Sequence, residues 1–188
     1  MLKNTLLKTN LTKVFPRLGG VVLGTALILG GTEITQFSSH SASNSPIVLG
    51  SKSANAASDV AAMEKSVHRQ INQYRRSKGL PPLKFNGKIS AIARQHSKKM
   101  AKKRVPFGHN GSSSRYQKIS KIISYRGVAE NVAYNQGHQN PGKTAVEGWI
   151  ASPGHQRNMV GKYQVTGIGV AKNSQGEYYF TQLFVNRR

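Results

Sequence analysis

The chain contains no cysteine in its 188 residues and only 6 acidic side chains against 28 lysines and arginines. Without cysteine there is no disulfide framework, no thiol nucleophile, no thiolate zinc site and no thiol for lipid attachment. The scarcity of acids leaves a formal charge of +22 and a pI near 10.8. Such a charge is silent about the fold, but it attracts polyanions: wall polymers rich in phosphate, anionic lipid, or nucleic acid. No recognition motif for nucleic acid accompanies the charge, so that partner fits least well. Long apolar runs are also missing. The longest, Leu18 to Gly31, has 14 residues, short of the roughly 20 that span a bilayer as a helix.

Lys3, Lys8, Lys13 and Arg17 precede that run, and a basic segment before a short apolar one is the pattern of a secretory signal. A stretch rich in Ser, Ala and Asn follows, ending in an A-x-A site at Ala54, Asn55 and Ala56. Cleavage after Ala56, an earlier cut within Ser41 to Ser45, and an uncleaved membrane anchor all remain open. A mitochondrial leader fits less well, because the run is not amphipathic. Residues 1–56 read as targeting segment plus linker, and 57–188 as one domain. That domain keeps 23 basic and 5 acidic residues, a net +18. Its acids are Asp59, Glu64, Glu130, Glu147 and Glu177.

Asp59 to Lys78 is predicted as a helix capped by Ser58 or Asp59, with Val60, Met63, Val67, Ile71 and Tyr74 inward. Lys65, Arg69, Arg75 and Arg76 form its expected solvated stripe. A second helix starts near Asn86 and turns Ile89, Ile92, Ala93, His96 and Met100 inward, with His96 read as a satisfied core histidine. Its end is loaded with Lys98, Lys99, Lys102, Lys103 and Arg104, which the helix dipole favours. His109 lies in a glycine-flanked loop, and a short helix over about 113–123 follows. Residues 127–134 alternate as a strand that puts Val128, Glu130 and Val132 on one face. A buried acid among valines needs a cation, a donor or a metal. Residues 135–142 form a loop in which His138 is read as solvent-exposed. Val165–Ala171 and Glu177–Val185 flank Asn173-Ser174-Gln175-Gly176 and predict an antiparallel hairpin.

Between these lies AVEGWIASPGHQRNM, residues 145–159. Ala145, Val146, Trp149 and Ile150 share a helical face, and Ser152-Pro153 is expected to end the helix. His155 follows six residues after the only tryptophan.

The fragments INQYRRSKGLPPL, IARQHSKKMA, FGH, GVAEN, WIASPGHQRNM, TGIGVA and YYFTQLF, in this order, resemble the CAP superfamily of SCP-like extracellular domains. The compact, cysteine-free WIASPGH form is similar to its bacterial branch. The resemblance covers about Val67 to Val185. It implies an α+β fold, an α-β-α sandwich with a central antiparallel sheet covered by helices. It also implies a cleft carrying two histidines and two acids, and the matching residues are His109, Glu130 and His155. The second acid normally follows the tryptophan by three residues; here Ser152 stands there, and Glu147 lies on another face. Some family members bind a divalent cation through the histidines, so zinc on His109 and His155 is a further expectation.

Two chemistries follow. Two imidazoles and a carboxylate with an open position suit zinc-assisted hydrolysis of a peptide or wall substrate, with His109, Glu130 and His155 as catalytic candidates. Alternatively, Glu130 bridges imidazoles in a polar network without turnover. The chain is then a secreted or cell-surface binding module, held at the envelope by its basic surface on an anionic cell-wall polymer or lipid.

Overall fold

The computed structural model describes residues 51–188, with side chains from Ser58 onward. The signal-like segment and the possible cuts at 41–45 lie outside the described residues. Among those described, the order is α1 (Ser51–Ser77), β1 (Lys84–Phe85), α2 (Gly87–Ala101), α3 (Ser112–Ser120), β2 (Tyr125–Asn135), α4 (Pro141–Ala151), α5 (Pro153–Val160), β3 (Val165–Lys172) and β4 (Tyr178–Arg187).

The hairpin is present, with Val165 opposite Val185 and Lys172 opposite Tyr178. β2 joins the other side of β4, antiparallel, and the short β1 lies parallel to β3. The sheet order is therefore β1-β3-β4-β2. The two-residue β1 is a small mixed element that the sequence reading did not anticipate.

Period-two alternation gives the sheet two buried faces. Ile168, Val170, Phe180 and Phe184 pack with Val67 and Ile71 of α1 and with Val146 and Trp149 of α4. Val165, Leu183 and Val185 pack with Ile89, Ile92 and Ala93 of α2 and Ile119 of α3. The result is the expected three-layer α-β-α sandwich. The glycines of TGIGVA serve the second interface: a Cβ on Gly169 would lie 1.9 Å from Arg94 N, and one on Gly167 2.5 Å from backbone of Ile89. Helix α2 thus rests directly on β3.

Edge strands leave main-chain groups without ladder partners. Along the outer edge of β2, Trp149 Nε1 donates to Val132 O at 2.9 Å and Asn158 Nδ2 to Glu130 O at 3.3 Å. On β3, Ile168 N donates to Ser90 Oγ and Val170 N to Glu64 Oε1, both at 3.0 Å. Side chains from both helical layers therefore close the sheet, and the β2 side becomes the floor of a cleft.

Four local expectations change. Helix α1 is already helical at Ser51, the first described residue, rather than starting at a Ser58 or Asp59 cap, because Ala-rich sequence carries little helical penalty. Helix α4 begins at Pro141, a favourable first-turn residue. Pro153 breaks α4 but also opens α5 as its first residue; extended Ser152 serves as the end of one helix and the start of the next. Arg75 is not on a solvated stripe. It is 1% exposed and donates to the carbonyls of Pro81, Met159, Gly161 and Tyr163. Its guanidinium supplies donors at the C-terminal end of α5, where helix carbonyls lack partners.

Candidate functional site

Glu130 projects from β2 with its side chain 1% exposed. Arg115 of α3 grips it with both arms of its guanidinium, Nε to Oε2 at 2.5 Å and Nη2 to Oε1 at 2.6 Å. The buried acid has thus found its cation. Paired forks of this kind are the strong class of charge-assisted hydrogen bond. Arg115 also donates to the carbonyls of Asn110 at 2.8 Å and His109 at 3.2 Å, so it fixes the loop as well as the acid.

That loop carries His109 between Gly108 and Gly111, both in left-handed backbone (φ 137° and 75°). His109 is about half exposed, and its Nδ1 lies 2.8 Å from Glu130 Oε1. Glu130 therefore spends one oxygen orienting the ring and both on Arg115.

His155 sits in the first turn of α5. Asn131 Nδ2 donates to its carbonyl at 3.0 Å, and Asn158 Nδ2 donates to Asn131 Oδ1 at 2.8 Å, tying α5 to β2. His155 Nδ1 lies 2.9 Å from Ser152 Oγ. The residue in the position of the missing acid thus makes the contact with the histidine. Burial, and then the nearby charge of His109, hold His155 below the ordinary histidine range. The two histidines are close enough to influence one another electrostatically.

His96 is buried with Nε2 2.7 Å from Gly108 O, supporting the histidine loop from beneath. His138 is exposed yet lines the cleft, a placement its polar loop did not reveal. Glu147 points away: it is exposed and lies 3.6 Å from Lys143. The cleft has a volume of about 650 Å³, and Trp149, Ser152, His155, Tyr134 and Phe107 contribute to its walls. Asn135 is also there, donating to Pro141 O while its buried Oδ1 lacks a partner.

A second, larger groove of about 1070 Å³ lies where α1, the end of α2 and the β3–β4 turn meet, adjoining the cleft where Gln136 Nε2 donates to Gln175 O. Lys98, Lys102, Lys103 and Lys172 rim it. Lys103 is the one non-glycine residue with positive φ among those described, at 53°. Lys103 N donates to Met100 O and Arg104 N to Lys99 O, both at 2.9 Å. This is the paired closure of a helix C-terminus that glycine usually completes.

Arg115, Asn131 and Asn158 were not singled out from sequence. For Arg115 the signal was present: it precedes Ile119 by one helical turn, on the buried face that must supply a cation to Glu130. The asparagines carry no such period.

Each histidine has its Nδ1 engaged, by Glu130 and by Ser152, leaving Nε2 as the ligating atom, which is how oriented metal-binding imidazoles are supported. Glu130 is filled by Arg115, and among the described residues no three His, Asp or Glu side chains gather as a ligand set. A resident catalytic zinc takes three protein ligands. The residues present offer two and do not fit such a centre.

Comparison with known proteins places this architecture. Residues 68–184 match the model of the cysteine-rich secretory protein family, CAP. The chain belongs to that family. It is 33% identical over 135 residues to the uncharacterized protein YkwD of Bacillus subtilis, covering 70% of this chain and 50% of that one. The chain thus spans about half the length of that relative. Among solved structures, it resembles an extracellular protein containing an SCP domain from Bacillus anthracis (TM-score 0.57, 22% identity, 68% of this chain and 41% of that one). It also resembles an outer surface protein from Borrelia burgdorferi (TM-score 0.59, 19% identity, 68% and 94%). At these identities the structural likenesses speak to the fold alone.

Proposed function

We propose that this CAP domain is a binding module of the cell envelope, held on a phosphate-bearing wall polymer by its basic surface. The observation that carries the reading is the Arg115–Glu130 pair. Glu130 is buried, and three donors from Arg115 and His109 already reach its two oxygens, so it orients those side chains and is not placed to reach the proton a general base must remove. The domain's +18 charge supplies the attraction. The groove rimmed by Lys98, Lys102, Lys103 and Lys172 supplies a place for a phosphate chain to lie. The basic segment and apolar run at the front of the sequence support export. No helix among the described residues is long and apolar enough to cross a membrane.

Retention of the full chain on immobilised poly(glycerol phosphate) tests the reading. Binding through released counterions weakens linearly in log–log plots against salt. Retention that does not change between low and high salt defeats it. Vesicles containing an anionic lipid, run in parallel, separate a lipid surface from the polymer.

The alternative, a divalent-metal-dependent hydrolase, rests on the two imidazole Nε2 atoms alone and lacks the third protein ligand of a catalytic centre among the described residues. Uptake of zinc by the full chain, lost in His109→Ala and in His155→Ala, would support it. Uptake unchanged in both variants would remove the site.

A further inference from the structure

The cleft differs in chemistry from the rest of the surface. On a domain of net +18, not one of its lining residues is a lysine, arginine, aspartate or glutamate. The larger groove, by contrast, is ringed with cations. A site that excludes charge from a cationic surface is not built for a polyanion.

Two aromatic rings stand at its mouth. Phe107 is 55% and Tyr134 45% exposed. They meet edge to face with centroids 6.3 Å apart, and Tyr134 leans on Tyr179 at 5.1 Å. The Tyr134 hydroxyl donates to Glu177 Oε1 at 3.2 Å. Tyr134 is therefore fixed by its ring and by its hydroxyl, a preset flat platform. The polar part of the lining is Asn135, Gln136, His138, Thr144, Ser152 and His155, set beside small apolar residues and Trp149.

We infer that this cleft binds an uncharged sugar ring, with one face of the pyranose stacked on Tyr134, the edge-on Phe107 ring flanking it, and its hydroxyls turned to the amide and imidazole groups of the wall. A pyranose has this division of surface: a face of C–H groups and a perimeter of hydroxyls. An extended peptide adding to β2 is disfavoured by the strand edge itself. The outward carbonyls of Glu130 and Val132 are already taken by Asn158 and Trp149, so two consecutive acceptors that an added strand would need are engaged. The inference builds on the cleft as a binding region but not on polymer binding by the basic surface, so either can fail alone.

The test is titration of N-acetylchitotetraose, a neutral β-linked oligosaccharide, into the full chain in about 0.5 M sodium chloride, where surface attraction is screened. Heat and Trp149 fluorescence are both read. The expected result is saturable binding that Tyr134→Ala weakens roughly tenfold, the change made by losing about 1.4 kcal/mol. Tyr134→Phe keeps the ring and should stay within about twofold of wild type, a difference of under 0.5 kcal/mol. Absence of saturable binding overturns the inference. So does equal binding by Tyr134→Ala, or binding of tetra-alanine amide in place of the sugar.

Discussion

Arg115 holds Glu130 through both carboxylate oxygens while two further contacts hold the main chain of the His109 loop. One arginine thus satisfies a buried acid and positions the loop histidine; of His109, Glu130 and His155, only His155 lines the cleft itself. Removing one partner of a buried pair leaves the other charge uncompensated, which costs about 3–5 kcal/mol. Arg115→Ala should therefore lower the urea midpoint steeply, whereas the exposed Lys143–Glu147 pair should contribute less than about 1 kcal/mol. Comparable losses in Arg115→Ala and Lys143→Ala would contradict this account of the pair.

The structure assigns a similar role to Arg75, which lacks a carboxylate and is satisfied by four carbonyls. Arg75→Ala leaves buried acceptors without donors, at about 1–3 kcal/mol for each one that water does not reach. Arg76→Ala, one residue away and exposed, should stay within about 0.5 kcal/mol of wild type. Denaturant unfolding of the two variants checks the contrast.

Much of this architecture is legible in the sequence, and its limits have physical causes. The apolar spacing in α2 and the turn between β3 and β4 are local signals, and both elements form where their patterns place them. The alternation in GVAEN exposed the need for a partner to Glu130. The helical spacing to Ile119 puts Arg115 on the buried face of α3, but the packing of that face against β2, which brings it to Glu130, is encoded by no local period. Arg75 looked like one of several basic residues because the carbonyls that bury it come from residues 159–163, far along the chain. Ser152-Pro153 reads as a stop because a proline breaks the helix before it, yet the same proline suits the first turn of a helix and opens α5. His109 and Glu130 meet directly, while His155 is fixed through Ser152 and Asn131, contacts that single-sequence reasoning does not reach.

Gly169 and Gly148 should respond oppositely to alanine. A Cβ on Gly169 meets backbone atoms of α2 at 1.9–2.4 Å, so helix and strand must separate. Overpacking of this kind costs about 1–3 kcal/mol and occasionally more. Gly148 lies exposed within α4 with nothing within 4 Å of the added carbon. Alanine there should gain about 0.5–1 kcal/mol from helix propensity. Thermal unfolding of the two variants should shift in opposite directions.

Lys103 offers a test that sets stability against binding. Its left-handed backbone favours glycine, and Lys103→Gly should stabilise the domain by roughly 1 kcal/mol. The same change removes a cation from the larger groove and should weaken retention on poly(glycerol phosphate). A variant that is more stable and binds less supports the assignment of that groove. Greater stability with unchanged retention moves the polymer contact elsewhere.

Acid should destabilise the fold through His96. Burial holds its pKa below the ordinary value of 6.5. Between the folded and unfolded values the unfolded chain binds more protons, so stability rises with pH across that window. The unfolding temperature should fall as pH drops from 7 through 6.5 and below. His96→Gln, whose side chain does not titrate, should flatten that dependence even if its overall stability is lower. A slope unchanged in this variant would assign the acid sensitivity to other groups.

The most direct measurement follows binding and turnover together. Isolated cell walls are incubated with the full chain and with Glu130→Gln, and the bound fraction and the release of soluble wall fragments are recorded from the same samples. The account predicts salt-reversible binding by both proteins and fragment release by neither. Release by the wild type that disappears in Glu130→Gln, with folding of the variant confirmed, would contradict it and make Glu130 part of a hydrolase.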